Sequence, residues 1–525
     1  TATGCSAESS LEAVDKHELP VDPAKGGEWI SAACWHNCGG RCLNKVLVQD
    51  GVVVRQKTDD SHADSFDCPQ QRGCLRGRSL RQQVYNADRI KYPMKRKSWQ
   101  PGGGENAHGE LRGKDEWERV SWDEALDLVA QGLTRAKEQY GNRSILLLKG
   151  WNPEMTRTMG AFGGFTNFWD TNSYGSWSKT PFVIGFHHDN MQDQTINDRY
   201  DLRNCETIVM MAMNPAWSAA GSQMWNYWQA KAAGAKFIVV DPMYSETAAT
   251  LDAEWIPIRP ATDMAFLLGV AYAMLEADEV EGLIDWDFLN RCTVGFDAEH
   301  MPSDAKQQTN FKDYVQGAYD NTPKTPEWAT EICGTPVEDI TWYAEMAGKN
   351  NAVMFLHSYA ASRYLGAENL SQAFMTVSSL GGHFGKSGHG SAAIYTWDAG
   401  DSGYRLIQHV GGDYGYVDNL VGSPAATGPN RNIKGNSWWS SLADGKYLSS
   451  SEGPYDLGSS DVVGDPTKLR ANTPVYHEAR EMPVNPRLLV QTNSNFMQTR
   501  GNLPTAIKVM RAADTCVSFE IKFSL

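Results

Sequence analysis

The sequence lacks a long apolar run. Its longest apolar stretches, such as Phe266–Leu275, stop well short of the roughly 20 residues that a helix needs to cross a bilayer. We therefore expect no transmembrane segment within these 525 residues.

Positive charge is also scarce. The 48 Lys and Arg residues are outnumbered by 63 Asp and Glu residues, which gives a formal net charge of -15. No segment offers the dense basic surface that binds nucleic acid or anionic lipid, so we do not expect a nucleic-acid partner. The length, at roughly 150 residues per domain, predicts three or four lobes with large buried cores.

Cysteine is sparse beyond residue 74. Six of the ten cysteines lie in the first 74 residues, and the others are Cys205, Cys292, Cys333 and Cys516. A disulfide framework would spread cysteines more evenly, so we interpret the scattered four as small buried hydrophobic residues. The amino-terminal group requires a separate explanation.

The amino-terminal region divides into a leader and a β-rich lobe. Residues 1–27 are polar and without periodicity, which predicts a flexible leader. Cys5 follows Thr-Ala-Thr-Gly, which resembles the end of a bacterial lipoprotein signal and predicts a lipidated cysteine. Lys45–Arg55 contains two β-branched runs separated by Asp50-Gly51, a pair typical of a tight hairpin turn.

Beyond Ser121 the pattern changes to alternating helices and strands. Ser121 and Glu124 form a capping-box signature, and apolar residues then recur at helical spacing as far as Tyr140. Further strand–helix units are predicted at 144–148, 207–213, 223–233, 237–240, 352–356, 369–380 and 487–491. This order predicts an α/β fold of parallel sheets covered on both faces, whereas residues 395–480 read as polar loop.

The clustered cysteines suit a metal centre. Cys34, Cys38 and Cys42 are spaced by three residues and are followed at a distance by Cys74. Four soft thiolates fit an iron–sulfur cluster or zinc, and the spacing favours the cluster because structural zinc commonly uses two C-x2-C pairs. Cys68, which precedes a proline, competes with Cys74 for the fourth position.

Two cysteine-bearing segments resemble a known family. Ala33–Cys42 and Cys74–Arg96 are similar to the cluster lobe of the dimethyl sulfoxide reductase family of molybdopterin oxidoreductases, and most closely to its exported catalytic subunits. The likeness extends over almost all of the chain beyond the leader, through 118–124, 237–247, 255–263 and the glycine-rich run after Leu380.

The resemblance implies a multidomain α/β fold with a small β-rich iron–sulfur lobe. The expected division is a leader at 1–27, the cluster lobe at 28–97, a first α/β part with the molybdenum-ligand loop at 98–200, a dinucleotide-binding lobe at 201–350, and a return to the pterin-binding lobe at 351–525. The implied cofactors are a [4Fe-4S] cluster and a bis(molybdopterin guanine dinucleotide) molybdenum centre. The implied cluster ligands are Cys34, Cys38, Cys42 and Cys74.

Several further residues receive roles from the resemblance. Arg76 matches the basic residue between cluster and pterin, where a fixed positive charge favours the reduced cluster. Ser178 aligns with the protein ligand of molybdenum, with Ser176 as the alternative, and the neighbouring Trp177 is grouped with the cofactor-binding residues. The Ser176-Trp177 pair departs from the acidic–aromatic pair that commonly precedes the ligand, and this is the point at which we expect the substrate preference to differ.

The dinucleotide site is expected at the carboxyl ends of the parallel strands, where phosphates and bases bind in such folds. The candidates there and in the glycine-rich run are Asn214, Asp241, Arg259, Asp263, His383, Gly385 and Gly388. Asp263 also fits a plain helix-capping role.

The function implied is molybdenum-dependent reduction of an S-oxide or N-oxide, supplied with electrons through the cluster, in anaerobic respiration. An iron–sulfur electron-transfer subunit and a small-molecule oxidant are the expected partners, and the expected location is the periplasm or the outer face of the cytoplasmic membrane. The alternatives are a catechol dehydroxylase of the same family, which the tryptophan-rich loops near Trp151 and Trp177 favour, a cluster-bearing electron conduit without molybdenum, and a zinc-binding protein.

The end of the chain carries one more expectation. Cys516–Leu525 alternates like a strand, and family members continue past this point. The sequence therefore predicts a chain that is truncated or completed by another chain. It also predicts a weakly held second dinucleotide and exposed apolar surface around the last strand.

Overall fold

The protein was analysed as a computed structural model, which describes residues 26–34, 42–70, 72–149, 152–166, 168–169, 197, 199–305, 308–358, 360, 364, 366–393, 433–434, 437–448, 481–492 and 495–520. Its residues fall into two compact units, each discontinuous in sequence. The first unit is 1–86 with 188–364 and 369–401, and the second is 87–187 with 365–368 and 402–525. The serial domain boundaries given above stay a prediction.

The first unit begins with a small antiparallel sheet. Its strands are Glu28–Cys34, Cys42–Gln49 and Val52–Thr58, and the short helices Leu75–Arg78 and Leu80–Val84 follow. Asp50 and Gly51 adopt φ of 49° and 78°, which confirms the predicted turn between the second and third strands.

The body of the first unit is a five-stranded parallel sheet. Its strands lie in the order Glu254–Pro257, Lys236–Asp241, Thr207–Met211, Val353–His357 and Gly390–Ala393. The helices of this body are Pro215–Ser218, Ser222–Ala232, Glu246–Leu251, Asp263–Glu281, Trp286–Cys292, Phe311–Val315, Pro326–Cys333, Val337–Met346 and Leu370–Leu380.

Both faces of this sheet are buried. On one face Val209 and Phe355 pack with Phe266 from helix Asp263–Glu281. On the other, Met210 and Val239 pack with Tyr227 from helix Ser222–Ala232. The predicted α/β class with a doubly covered parallel sheet is confirmed.

The second unit contains a three-stranded parallel sheet in the order Thr515–Phe519, Leu488–Thr492 and Ile145–Lys149. Ser121 accepts the backbone N–H of Glu124, as the capping pattern predicted. The remaining described strands of this unit are Met94–Arg96, Trp117–Arg119, Phe168–Trp169, Ile433–Lys434, Lys446–Leu448 and Glu481–Pro483. Its helices are Trp122–Tyr140, Pro153–Ala161, Trp438–Asp444, Phe496–Thr499 and Leu503–Ala512.

Across the described ranges, no helix combines the length and apolar character that crossing a bilayer requires.

Candidate functional site

The cysteines are brought together at one end of the small sheet. Cys34 ends the first strand and Cys42 begins the second, and the two are direct partners in the antiparallel register. Both are buried. Cys38, which belongs to the segment joining them, is outside the described residues.

The turn that begins at Cys74 lies against Cys34. Cys74 is the N-cap residue of helix Leu75–Arg78, and a Cβ added to Gly77 would lie 3.2 Å from the Cys34 sulfur. Such a contact is tight, so glycine allows this approach. Gln56 of the third strand donates to the Gly77 carbonyl over 2.8 Å and holds the turn in place. The described residues therefore gather Cys34, Cys42 and Cys74 at the same end of the lobe.

Cys68, the rival for the fourth ligand position, has different surroundings. It is exposed, and its backbone N–H and carbonyl both bond with Ser65 within its own loop. Cys74 is half-buried. These contacts favour Cys74, although among the described residues no three His, Cys, Asp or Glu side chains already form a metal-binding group.

Arg76 links the cysteine lobe to the parallel-sheet body. Its guanidinium donates to the carbonyls of Trp217, over 2.6 Å, and Ser218, over 3.1 Å. It also lies 5.9 Å from the centroid of the Trp217 ring, in the range of a cation–π contact. The role of Arg76 in electron passage stays a prediction. The structure shows in addition that Arg76 holds the cysteine lobe against the parallel-sheet body.

Two carboxyl side chains lie at the edge of the five-stranded sheet where its parallel strands end, which is called its carboxyl edge here. Asp241 ends its strand, and Asp263 is the first residue of the helix that follows the next strand. Burial raises the pKa of both carboxyls, and the charge of Asp263 raises that of Asp241 further, so the two groups interact electrostatically. Tyr364 donates its hydroxyl to Asp263 over 3.1 Å.

Asn214 and Arg259, predicted from the same edge, are engaged by the protein itself. Asn214 donates to Glu246 over 2.7 Å and accepts from the Thr247 hydroxyl over 2.7 Å. Arg259 donates to the carbonyls of Glu331 and Ile332 near the end of helix Pro326–Cys333. Both side chains fasten neighbouring helices, and their roles toward a cofactor stay predictions.

The glycine-rich run, residues 381–390, is held in place mainly by contacts with other parts of the chain. His383 is fully buried, and its Nε2 lies 2.8 Å from the Ala347 carbonyl. Burial lowers the pKa of His383 to about 4. A Cβ on Gly388 would lie 2.3 Å from the Asn204 carbonyl, so this glycine accommodates the chain's own backbone. Gly385 has φ of 69°, and a Cβ added there would meet no atom within 4 Å. Its predicted role toward a pterin stays a prediction.

One residue that sequence reasoning missed organises this run. Asp201 accepts hydrogen bonds from the Ser387 hydroxyl, over 2.5 Å, and from the Gly388 N–H, over 2.7 Å. Burial alone would raise the pKa of this carboxyl, but hydrogen bonds from Ser387, Gly388 and nearby asparagines hold it below its ordinary value. Asp201 lies in the short 3-10 helix Arg199–Asn204, and a lone aspartate there carried no sequence signal for this role.

Comparison with known proteins decides the family. Residues 28–86 match the model "Molybdopterin oxidoreductase Fe4S4 domain", and residues 89–427 match "Molybdopterin oxidoreductase". The chain belongs to the molybdopterin oxidoreductase family. The two matched domains imply a [4Fe-4S] cluster and a molybdopterin-bound molybdenum cofactor. Thiols suit such a cluster, and the first domain gathers Cys34, Cys42 and Cys74 at one end of its sheet.

Individual relatives agree with this family. The dimethyl sulfoxide reductase DmsA of Haemophilus influenzae is 35% identical over 384 residues, which cover 69% of this chain and 45% of that protein. DmsA of Escherichia coli is 34% identical over 71% of this chain and 46% of its own length. A trimethylamine-N-oxide reductase of Haemophilus influenzae is 31% identical over 71% of this chain and 43% of its own. The chain thus spans about half the length of these relatives.

A solved structure supports the fold. Acetylene hydratase from Pelobacter acetylenicus matches 94% of this molybdopterin oxidoreductase chain and 60% of its own, with a TM-score of 0.57 and 18% identity. The predicted molybdenum ligand Ser178, its alternative Ser176 and the neighbouring Trp177 fall within the larger family match but outside the described residues. Their assignments stay predictions.

Proposed function

We propose that this chain is the molybdenum-bearing part of a reductase that removes oxygen from an S-oxide or N-oxide substrate. The observation that carries the proposal is the gathering of Cys34, Cys42 and the Cys74 turn in a lobe that matches the Fe4S4 domain. The relatives named for dimethyl sulfoxide and trimethylamine-N-oxide point to the substrate class.

The cysteine lobe delivers electrons. Cys34, Cys38, Cys42 and Cys74 hold the [4Fe-4S] cluster, and Arg76 adds a fixed positive charge next to the last of these ligands. A positive charge near the cluster stabilises its reduced, more negative state. Because Arg76 also bonds to the carbonyls of Trp217 and Ser218, it keeps the lobe in contact with the body.

The carboxyl edge of the sheet holds the guanine dinucleotide form of the cofactor. Asp241 and Asp263 offer carboxylate oxygens, which suit the N–H donors on the edge of a guanine base. Their burial strengthens each such hydrogen bond because the surroundings screen it poorly. Gly385 leaves space for close approach of a pterin.

Molybdenum supplies two-electron oxygen-atom chemistry when the cofactor is bound, and Ser178 provides a hard oxygen ligand to it. The chain works with an iron–sulfur electron-transfer subunit, and it acts after export, in the periplasm or on the outer face of the membrane. Cys5 is the lipidation site if the chain is anchored.

The test combines metal analysis with a substrate panel. The full chain, produced anaerobically in a host that makes the cofactor, is analysed for iron and molybdenum and assayed with a reduced dye and dimethyl sulfoxide, trimethylamine N-oxide or a catechol. We expect four irons and one molybdenum per chain, with turnover of an S-oxide or N-oxide. Iron without molybdenum would indicate a protein that only transfers electrons. Turnover of the catechol alone would indicate a dehydroxylase, and zinc without iron would exclude the iron–sulfur cluster. Each of these results overturns the proposal.

A further inference from the structure

The first turn of helix Ser222–Ala232, in the parallel-sheet body, lies against the cysteine lobe. A Cβ added to Gly221, just before this helix, would lie 2.3 Å from the Arg72 carbonyl oxygen and 3.5 Å from the Cys42 sulfur. Real Cβ atoms do not approach a backbone oxygen so closely. Glycine is therefore required for the body to reach Cys42 at this point.

Ser222 fixes the backbone that leads to Cys74. Its hydroxyl is buried and accepts the backbone N–H of Arg72 over 2.8 Å, across 150 residues of sequence. The backbone carbonyl of Arg72 in turn accepts a hydrogen bond from the Cys42 thiol over 3.1 Å. Arg72 thus lies between Cys42 and the body, two residues before Cys74.

The Arg72 side chain adds a third contact to the same helix. Its guanidinium lies 4.4 Å from the centroid of the Trp225 ring, one turn along from Ser222, and forms an ion pair with Asp64. The cation–π contact and the ion pair restrain the segment before Cys74. All of these contacts lie within the first compact unit.

We propose that Gly221 and Ser222 are positioning residues for the [4Fe-4S] cluster and help to set its reduction potential. This inference rests on the cluster that the proposed function assigns to Cys42 and Cys74. A cysteine that binds iron does so as a thiolate, so the Cys42 hydrogen bond to Arg72 is given up when the cluster forms. The Ser222 hydrogen bond and the Gly221 contact remain, and with the side-chain contacts of Arg72 they hold its backbone in place.

The expected effect on potential follows from the helix dipole. The amino end of a helix carries partial positive charge, which acts over about one turn. Placed beside a cluster ligand, it favours the reduced cluster, whose charge is more negative. Loss of the Ser222 contact lets the cysteine segment move away and makes the cluster harder to reduce.

The test is a redox titration followed by low-temperature EPR on the anaerobically purified full chain, together with iron content and a thermal melt. We expect Ser222→Ala to keep its iron but to shift the midpoint potential to a lower value than that of the unsubstituted chain. Ser222→Thr keeps the hydroxyl and should restore the original potential. Gly221→Ala should lose iron or change the EPR line shape, whereas Gly501→Ala, which adds a methyl group into open space, should change neither.

Trp225→Leu supplies an independent variant. It removes the ring beneath Arg72 and leaves the backbone contacts untouched, so we expect a smaller shift of the midpoint potential, also to a lower value. If Ser222→Ala does not fold, the potential of the Trp225 variant is the test. An unchanged potential in the folded Ser222 and Trp225 variants, in a chain that shows the cluster signal, overturns this inference and leaves the proposed function standing. Absence of any [4Fe-4S] signal from the unsubstituted chain overturns both.

Discussion

The Nδ1 atoms of His383 and His389 lie 2.9 Å apart, joined by a hydrogen bond inside the glycine-rich run. The Ala347 carbonyl can only accept a hydrogen bond, so Nε2 of His383 carries the hydrogen and donates it. Because burial keeps His383 neutral, its Nδ1 must accept, and His389 must donate. The tautomers of both rings are thereby fixed by their surroundings.

This pair predicts a loss of stability in acid. His383 is neutral when folded, with a pKa of about 4, but ionises near 6.5 when unfolded. Between these two pH values the unfolded chain therefore binds more protons than the folded chain. The contribution of His383 to the free energy of unfolding is complete above pH 6.5 and is lost as the pH falls to about 4. The difference corresponds to about 3 kcal/mol. Denaturant unfolding across this range measures it.

The control for this prediction is an exposed histidine. We expect His383→Gln to flatten the decline in unfolding free energy between pH 6.5 and 4, and His62→Gln to leave it unchanged. An equally steep decline in the His383 variant would show that other groups cause it, such as Asp201 and Asp285, whose carboxyl pKa values are also held low.

Local chemistry made part of this fold predictable. The Asp50-Gly51 turn and the Ser121 cap depend on residues within four positions of each other, and both occur as expected. The first strand, Glu28–Cys34, was missed because most of its residues are exposed on both faces. Its position depends on pairing with Cys42–Gln49, which local periodicity does not encode.

Tertiary burial explains a second miss. The helix Trp438–Asp444 lies in a stretch that the sequence indicated as loop, because its short serine-containing segment shows little periodicity. Trp438 and Trp439 are buried there among the residues of a core cluster, and Trp438 stacks on Phe496. Packing, rather than intrinsic propensity, accounts for this helix.

The candidate site divides in the same way. Cysteine spacing and family resemblance singled out the cysteines that the structure gathers at one end of the small lobe, and the two carboxyl groups at the sheet edge. Their roles as cluster ligands and in cofactor binding stay predictions. Ser222 and Asp201 could not be predicted, because their partners Arg72 and Gly388 lie 150 and 187 residues away in sequence. Such pairs become visible only when the chain has folded.

The choice between Cys74 and Cys68 as the fourth cluster ligand can be tested directly. We expect Cys74→Ser to lose iron or convert the cluster to a three-iron form, because the Cys74 turn lies against Cys34. Cys68→Ser should keep the cluster, since Cys68 is exposed in a loop of its own. Low-temperature EPR of both reduced variants is the measurement, and an intact [4Fe-4S] signal in the Cys74 variant would refute the ligand assignment.

The molybdenum ligand gives a different signature. Ser178→Ala should keep the cluster signal and the thermal melt of the unsubstituted chain but lower turnover by about 100-fold or more, since a direct ligand matters at least as much as the outer contacts of a metal site. Ser176→Ala serves as the matched control and should stay active. Reversed effects of the two variants would move the ligand to Ser176.

The carboxylates at the sheet edge predict how firmly a guanine nucleotide is held. Asp241→Asn replaces one acceptor oxygen by an amide donor, so a hydrogen bond to a charged group worth about 1.5–3 kcal/mol is lost, and retention should fall about 10- to 100-fold. Asp263→Asn should act similarly, and it also disturbs the bond from Tyr364. Asp252→Asn is the control, because Asp252 is exposed in a left-handed conformation that asparagine tolerates.

The measurement is guanine nucleotide retained per chain after extensive dialysis, counted after denaturation and compared with iron content. Iron should stay constant in all three variants, because the cysteine lobe is untouched. Since burial raises the pKa of both carboxyls, the unsubstituted chain should also begin to release nucleotide on acidification at a higher pH than an ordinary aspartate would dictate. Retention that is equal in the Asp241, Asp263 and Asp252 variants would place the guanine elsewhere on the chain.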